Sequence, residues 1–249
     1  MIEIRGLSKR LGRREVLSGL DLDIRTGETL VVLGPSGTGK SVLLKHIIGL
    51  MAPDAGSIRI DGTDIVGLGE KELTQVRRRF GMLFQGAALL DSMTVGENVA
   101  LAMLEHAREM SPAEMTRRVR ERLEWVGLTD AAALKPASLS GGMRKRAGLA
   151  RALAMDPEYV LYDEPTTGLD PITADVINQL IREMQKRLHV TSVVVTHDIK
   201  SAYTVADRIV LLYQGRMKFD GTPDETRRTD DAMMRQFIEG SSRGPIQPV

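Results

Sequence analysis

Apolar positions along this chain follow three patterns. Short unbroken runs occur in "TLVVLG" at 29–34, "YVLYDE" at 159–164 and "TSVVVTHD" at 191–198, each β-branched, bounded by glycine or aspartate and followed by helical periodicity. Strands buried on both faces have this character, so the runs predict parallel strands in an α/β layer. The stretches "MIEIRGL", "LDLDI" and "SIRIDGTDI" alternate apolar and polar residues, which predicts half-exposed antiparallel strands in a flanking β layer. The segment "RIVLLYQGRMKFDGT", with a turn at Gln214-Gly215, is assigned to the same layer. Strand signals vanish over residues 89–157. There "SPAEMTRRVRERLEWVGL" offers Ser111 and Glu114 as a capping box, Pro112 in the first turn and Gly127 as a stop, so a helical insert interrupts the α/β core.

These patterns divide the chain into a main domain, 1–225, and a C-terminal helix and tail, 226–249. The core and β layer occupy 1–88 and 158–225, and the helical subdomain 89–157. The last helix is expected around 230–238, and "EGSSRGPIQPV" is too rich in Gly, Ser and Pro to pack alone.

Composition narrows the possibilities without choosing among them. The 249 residues are 42% hydrophobic and 27% charged, an ordinary globular mixture. The 34 basic and 33 acidic side chains leave a net charge of +1, so no global field favours nucleic acid or an anionic membrane. With no cysteine there is no disulfide, thiolate metal site or cysteine nucleophile. The longest apolar runs fall far short of the roughly 20 residues that span a bilayer, and "MIEIRGLSKR" lacks a signal-peptide core.

Three motifs carry chemistry. "GPSGTGKS" fits the phosphate-loop pattern and lies between a predicted strand and a predicted helix. Gly34, Gly37 and Gly39 let backbone N–H groups face phosphate oxygens, Lys40 reaches the β and γ phosphates, and the Ser41 hydroxyl ligates Mg2+. Pro35, Ser36, Thr38 and Val42 complete the candidate binding run. In "YVLYDEP", Asp163 ends an apolar strand and is suited to the Mg2+ shell, while Glu164 is the candidate base for an attacking water. His197 in "VVVTHD" stands at the next strand end beside Asp198, a place from which to contact the same γ phosphate. A fourth stretch, "LSGGMRKRAGLARAL", is ambiguous by itself. Ser140 capping a glycine-rich helix start describes an anion site, or an ordinary loop before a solvated basic helix. Arg144, Lys145 and Arg146 read mainly as that solvated face.

Taken in order, the phosphate loop, "LSGGM", "YVLYDEP" and "VVVTHD" resemble the nucleotide-binding subunit of an ABC transporter, over roughly residues 1–225. The resemblance implies a P-loop NTPase α/β fold with a parallel sheet, an antiparallel β subdomain and a helical signature subdomain. It implies a homodimer that sandwiches two ATP molecules head to tail, with Ser140, Gly141 and Gly142 binding the γ phosphate across the dimer. It makes Gln85 in "MLFQ" the residue that contacts Mg2+ and senses the permease, and Asp170 in "TTGLD" a dimer-seam residue. An aromatic residue is common in this family near Leu11, where this chain offers only Leu11 and Val16 against the base. The expected consequence is a weaker preference for ATP over GTP.

Met143, where many relatives have glutamine, together with "MLFQGAALLDSMTVGENVA" and "RQFIEGSSRGPI", resembles the ATPases of Mla or MCE-associated lipid transport systems. That narrower resemblance implies a homodimer beneath an integral membrane permease dimer, on the cytoplasmic side of the inner membrane. It implies an MCE-domain partner, phospholipid cargo, and a tail that reaches the neighbouring ATPase. The alternatives are the ATPase of a small-solute importer or exporter, a subunit that binds ATP without hydrolysing it, and a soluble ABC ATPase acting on nucleic acid. The intact Glu164 and His197 argue against the second; a single cassette, balanced charge and the lack of cysteine argue against the third.

Overall fold

The computed structural model describes residues 1–107 and 109–247; the described residues fall into two compact units, 1–77 with those from 191 onward, and 78–190. The chain begins in the first unit with β1 (Ile2–Leu11), β2 (Arg14–Ile24), β3 (Thr29–Leu33), α1 (Lys40–Ile47), β4 (Ala55–Ile60), β5 (Thr63–Asp64) and α2 (Glu70–Arg77). The second unit holds β6 (Phe80–Leu83), α3 (Val95–His106), α4 (Pro112–Trp125), α5 (Gly141–Ala152), β7 (Tyr159–Asp163) and α6 (Pro171–Leu188). The chain then returns to the first unit as β8 (Thr191–Thr196), α7 (Ile199–Val205), β9 (Arg208–Tyr213), β10 (Arg216–Gly221), α8 (Pro223–Arg228) and α9 (Ala232–Glu239).

The first unit contains both expected sheets. In the antiparallel one, ordered β2-β1-β4-β5, Ile2 faces Ile24 and Ile4 faces Leu22, so the alternating apolar residues share one buried side. In the other, β3 lies between β8 and β9 and runs parallel to both, with all five of its residues buried. The segment 208–222 departs from expectation, because its two strands extend this parallel layer instead of joining the flanking one. The reason is legible in "RIVLLY": five of its six residues are buried, as an inner strand requires, while β10 alternates exposed and half-buried residues and serves as the antiparallel edge.

In the second unit β6 and β7 pair in parallel, with Phe80 stacked on Tyr159 at a ring separation of 4.9 Å. Helix α5 lies tight against β6, since a Cβ at Gly81 would stand 2.1 Å from the Ala152 carbonyl oxygen. Between residues 89 and 157 the described residues form helices and turns without a strand. Ser111 caps α4 by accepting from Glu114 N–H at 3.2 Å, and Gly127 follows its end at φ +65°. The reciprocal half of the anticipated capping box is replaced: the Glu114 carboxylate lies 3.8 Å from Arg118 and 3.9 Å from Arg117. The guanidinium groups of Arg122 and Arg187 lie over the Trp125 ring, at 3.9 and 4.3 Å from its centre.

The tail does not pack alone but on neighbouring elements. Asp231 caps α9, Gly240 ends it in the left-handed region, and the chain then folds back on its own unit. The buried Gln236 amide accepts from Ile246 N–H at 2.6 Å and donates to the Ile246 carbonyl at 2.9 Å, while Gln247 N–H donates to the Tyr213 hydroxyl at 3.0 Å. A segment without a core of its own is thus held by one glutamine that satisfies its backbone and by burial of the Ile246 side chain.

Candidate nucleotide site

The phosphate loop joins β3 to α1 where expected. Gly39 stands at the helix start with φ +101°, and a Cβ there would meet Val16 Cγ1 at 2.8 Å, so the loop needs glycine both for its turn and for its approach to β2. With glycine in the capping position, no side chain there competes with an anion for the first turn of α1. The Lys40 ammonium, 6% exposed, donates to the carbonyls of Gly34 at 2.7 Å and Pro35 at 3.0 Å. The Thr38 hydroxyl donates to the same Pro35 oxygen at 2.9 Å. These bonds staple the loop and keep a cation inside its curl.

Two cavities border this loop. One, of about 250 Å³, is lined by Val16, Gly37, Thr38, Tyr213 and Gln247 among others; Leu11, an exposed residue of β1, is not part of its wall. Tyr213 thereby supplies an aromatic side chain to this wall from a strand distant in sequence from Leu11. The other, of about 370 Å³, brings Pro35 and Ser36 together with His197, Phe237 and Ile246. His197 is exposed at the end of β8, just before Asp198 caps α7.

The second unit carries the remaining candidates. Asp163, 9% exposed, ends β7, and Glu164, 8% exposed, follows it. Glu164 holds φ +48°, a left-handed backbone unusual for a residue with a side chain, and its Oε2 accepts from the Thr167 hydroxyl at 3.0 Å. Ser140 caps α5, accepting from Met143 N–H at 3.2 Å. A Cβ at Gly142 would stand 2.4 Å from Thr173 Cγ2, so that glycine permits α5 to approach α6. Asp170 caps α6, accepting from the N–H groups of Ile172 and Thr173 at 3.0 Å; these bonds, with that of the Thr173 hydroxyl first, hold its carboxyl below the usual range. The Gln85 side chain is exposed in the loop after β6.

The basic residues of α5 are only in part the solvated face that the sequence suggests: Arg144 is exposed, Arg146 and Arg151 are half-buried and Lys145 is buried, and each satisfies main-chain carbonyls. Arg144 donates to Leu139, Arg146 to Val126 and Gly127, and Arg151 to Ala87 and Ala88. Lys145, 5% exposed, donates to the carbonyls of Gln85 at 2.5 Å and Glu164 at 2.9 Å. Burial pushes its ammonium below the usual lysine range, opposed by the charges of Asp163 and Glu164. The clue was available in the sequence. Gly142, Lys145, Leu149 and Ala152 recur at helical spacing on one buried stripe, which places Lys145 inward.

A phosphate loop between a doubly buried parallel strand and a helix, in a chain that also ends an apolar strand in Asp-Glu, defines a P-loop nucleotide hydrolase. The chain belongs to the ABC transporter family, whose match spans residues 17–167, and it is an ATP-hydrolysing cassette. It is 44% identical to the probable ribonucleotide transport ATP-binding protein mkl of Mycobacterium leprae, over 98% of this chain and 70% of that protein. It is 41% identical to the intermembrane phospholipid transport system ATP-binding protein MlaF of Haemophilus influenzae, over 99% of this chain and 93% of that one. Among solved structures, the dimeric ATP-binding cassette MJ0796, in a post-hydrolysis state bound to ADP and Pi, superposes with a TM-score of 0.83 at 36% identity, covering 90% of this chain and 99% of that chain. Among the described residues no helix is long and apolar enough to cross a membrane.

Proposed function

We propose that this ATPase energises phospholipid transport as a homodimer bound to the cytoplasmic side of a membrane permease. The observation that carries the cargo reading is the similarity to MlaF along nearly the whole of both chains, tail included. Each half of the dimer binds ATP on its phosphate loop, and Ser140, Gly141 and Gly142 of the other half close on the γ phosphate. Water attacks Pγ, the bond to the β–γ bridging oxygen breaks, ADP leaves with that oxygen, and Glu164 takes the water proton. His197 steadies the γ phosphate and Lys40 offsets its developing charge. Ser41, Gln85 and Asp163 offer hydroxyl, amide and carboxylate oxygens, a hard donor set that fits Mg2+, and the described residues include no competing cluster of three His, Asp or Glu. When bound, Mg2+ supplies charge neutralisation at the phosphates.

The dimer reading is tested by cysteine pairs, which are clean in a chain without cysteine. Ser36→Cys with Ser140→Cys is expected to give disulfide-linked dimers when ATP is bound. Linkage confined to single chains would refute the exchange of signature loops.

The cargo reading is tested by isolating the tagged protein from its native membranes. A multi-spanning permease, an MCE-domain protein and retained phospholipid are expected. The resemblance to mkl supports a second reading, nucleotide cargo. A complex free of lipid, whose ATPase responds to a ribonucleotide supplied on the far side of the membrane, would establish that alternative.

A further inference from the structure

We propose that Lys145 is a positioning residue for hydrolysis: its ammonium, shared between the Gln85 and Glu164 carbonyl oxygens, fixes the backbone that aims the Glu164 carboxylate and links that aim to the loop carrying Gln85. The inference rests on the reading of Glu164 as the base.

Glu164 occupies a left-handed conformation at φ +48°, which persists in a residue with a Cβ only when the surroundings determine it. Its carbonyl accepts from Lys145 Nζ at 2.9 Å and from Thr167 N–H at 3.3 Å, so the lysine makes the shorter of these two bonds. The ammonium carries three donors and no acceptor, which suits a point where two carbonyl oxygens converge. Asp163 and Glu164 lie close enough to compensate its charge.

The other basic residues of α5 serve one segment each: Arg144 the turn before the helix, Arg146 the end of α4 and Arg151 the loop after β6. Lys145 differs in joining two. The Gln85 loop also carries left-handed residues, Ala87 at φ +61° and Ala88 at φ +49°, whose carbonyls Arg151 holds, so its course too is set by donors on α5. A displacement of Gln85 pulls on the ammonium that also holds Glu164, and this gives the loop a direct route to the carboxylate.

The test uses the full chain with Lys145→Met, Lys145→Arg and Glu164→Gln, alone and combined. Binding is read with a fluorescent ATP analogue and folding from the emission of Trp125, the chain's one tryptophan. Lys145→Met is expected to lower kcat about 10- to 100-fold, as misplacement of a reacting group does, with the Kd for ATP within about three-fold of the parent. Lys145→Arg, which restores a buried cationic donor, is expected to recover kcat to within about five-fold. In the Glu164→Gln background, Lys145→Met should cost less than about three-fold more, because both changes disable one group. Where Lys145→Met melts below the assay temperature, Lys145→Gln is read in the same way.

Parent-like turnover in Lys145→Met, ATP affinity lost in step with kcat, no recovery in Lys145→Arg, or losses that multiply in the double variant would each overturn the proposal. Rapid hydrolysis by Glu164→Gln alone overturns the base reading beneath it. A dead Glu164→Gln beside a fully active Lys145→Met overturns the positioning role only.

Discussion

Glu164→Gln is expected to bind ATP and hydrolyse it at least ~100-fold more slowly than the parent, accumulating as an ATP-bound dimer. The amide keeps the size of the carboxylate and an oxygen for the Thr167 hydroxyl, which reaches Glu164 Oε2 at 3.0 Å, so the local structure survives. What it loses is proton affinity. A glutamine does not take the proton of the attacking water, and the chemical step slows while binding through the phosphate loop persists. Single-turnover hydrolysis and size-exclusion chromatography with ATP separate the two effects. Turnover near the parent rate, or an ATP-bound monomer, would remove Glu164 from the base role.

Lys40→Ala has an equally large expected effect, with the opposite signature. The change removes a cation from the phosphates and two donors from the loop, because the ammonium also bonds the carbonyls of Gly34 and Pro35 at 2.7 and 3.0 Å. ATP affinity should fall at least ~10-fold and turnover at least ~100-fold, reflecting charge-assisted contacts in the ground state and more in the transition state. The strand and helix on either side are held by their own packing: Leu30, Val31, Val32, Leu33, Leu43 and Leu44 are fully buried. The cooperative melting transition read by far-ultraviolet circular dichroism should therefore persist. A folded variant with parent-like affinity and turnover would show that the loop binds phosphate through its backbone alone.

Both predictions rest on residues that are legible in the sequence alone. The phosphate loop, the Asp-Glu strand end and the histidine after "VVVT" are local features, in which an apolar run fixes a strand and the next residues inherit its end. The caps of α4 and α5 were legible for the same reason: Ser111 and Ser140 each accept from the N–H group three residues on. Parallel strands with turn chemistry between them write themselves into short windows.

Other features depend on residues far apart in sequence. The strands of residues 208–222 alternate in part like a flanking hairpin, and only their pairing with β3 shows that they extend the parallel layer. Strand β6 and helices α2 and α8 drew no expectation, being short elements with weak periodicity of their own. The tail cannot pack alone, and the partners that hold it, Gln236 and Tyr213, lie outside it.

The sequence by itself determined the class of chemistry, since a phosphate loop, the hydroxyl that follows its lysine and a strand-end carboxylate pair are specified by neighbouring residues. Only the tertiary structure decided what the basic residues of α5 do. A charge next to a glycine-rich helix start has the same local appearance whether it faces water or a buried carbonyl. The difference lies in which loops arrive beside it: the turns at Gln85 and Glu164 present main-chain oxygens that burial obliges some donor to satisfy, and Lys145 meets that requirement.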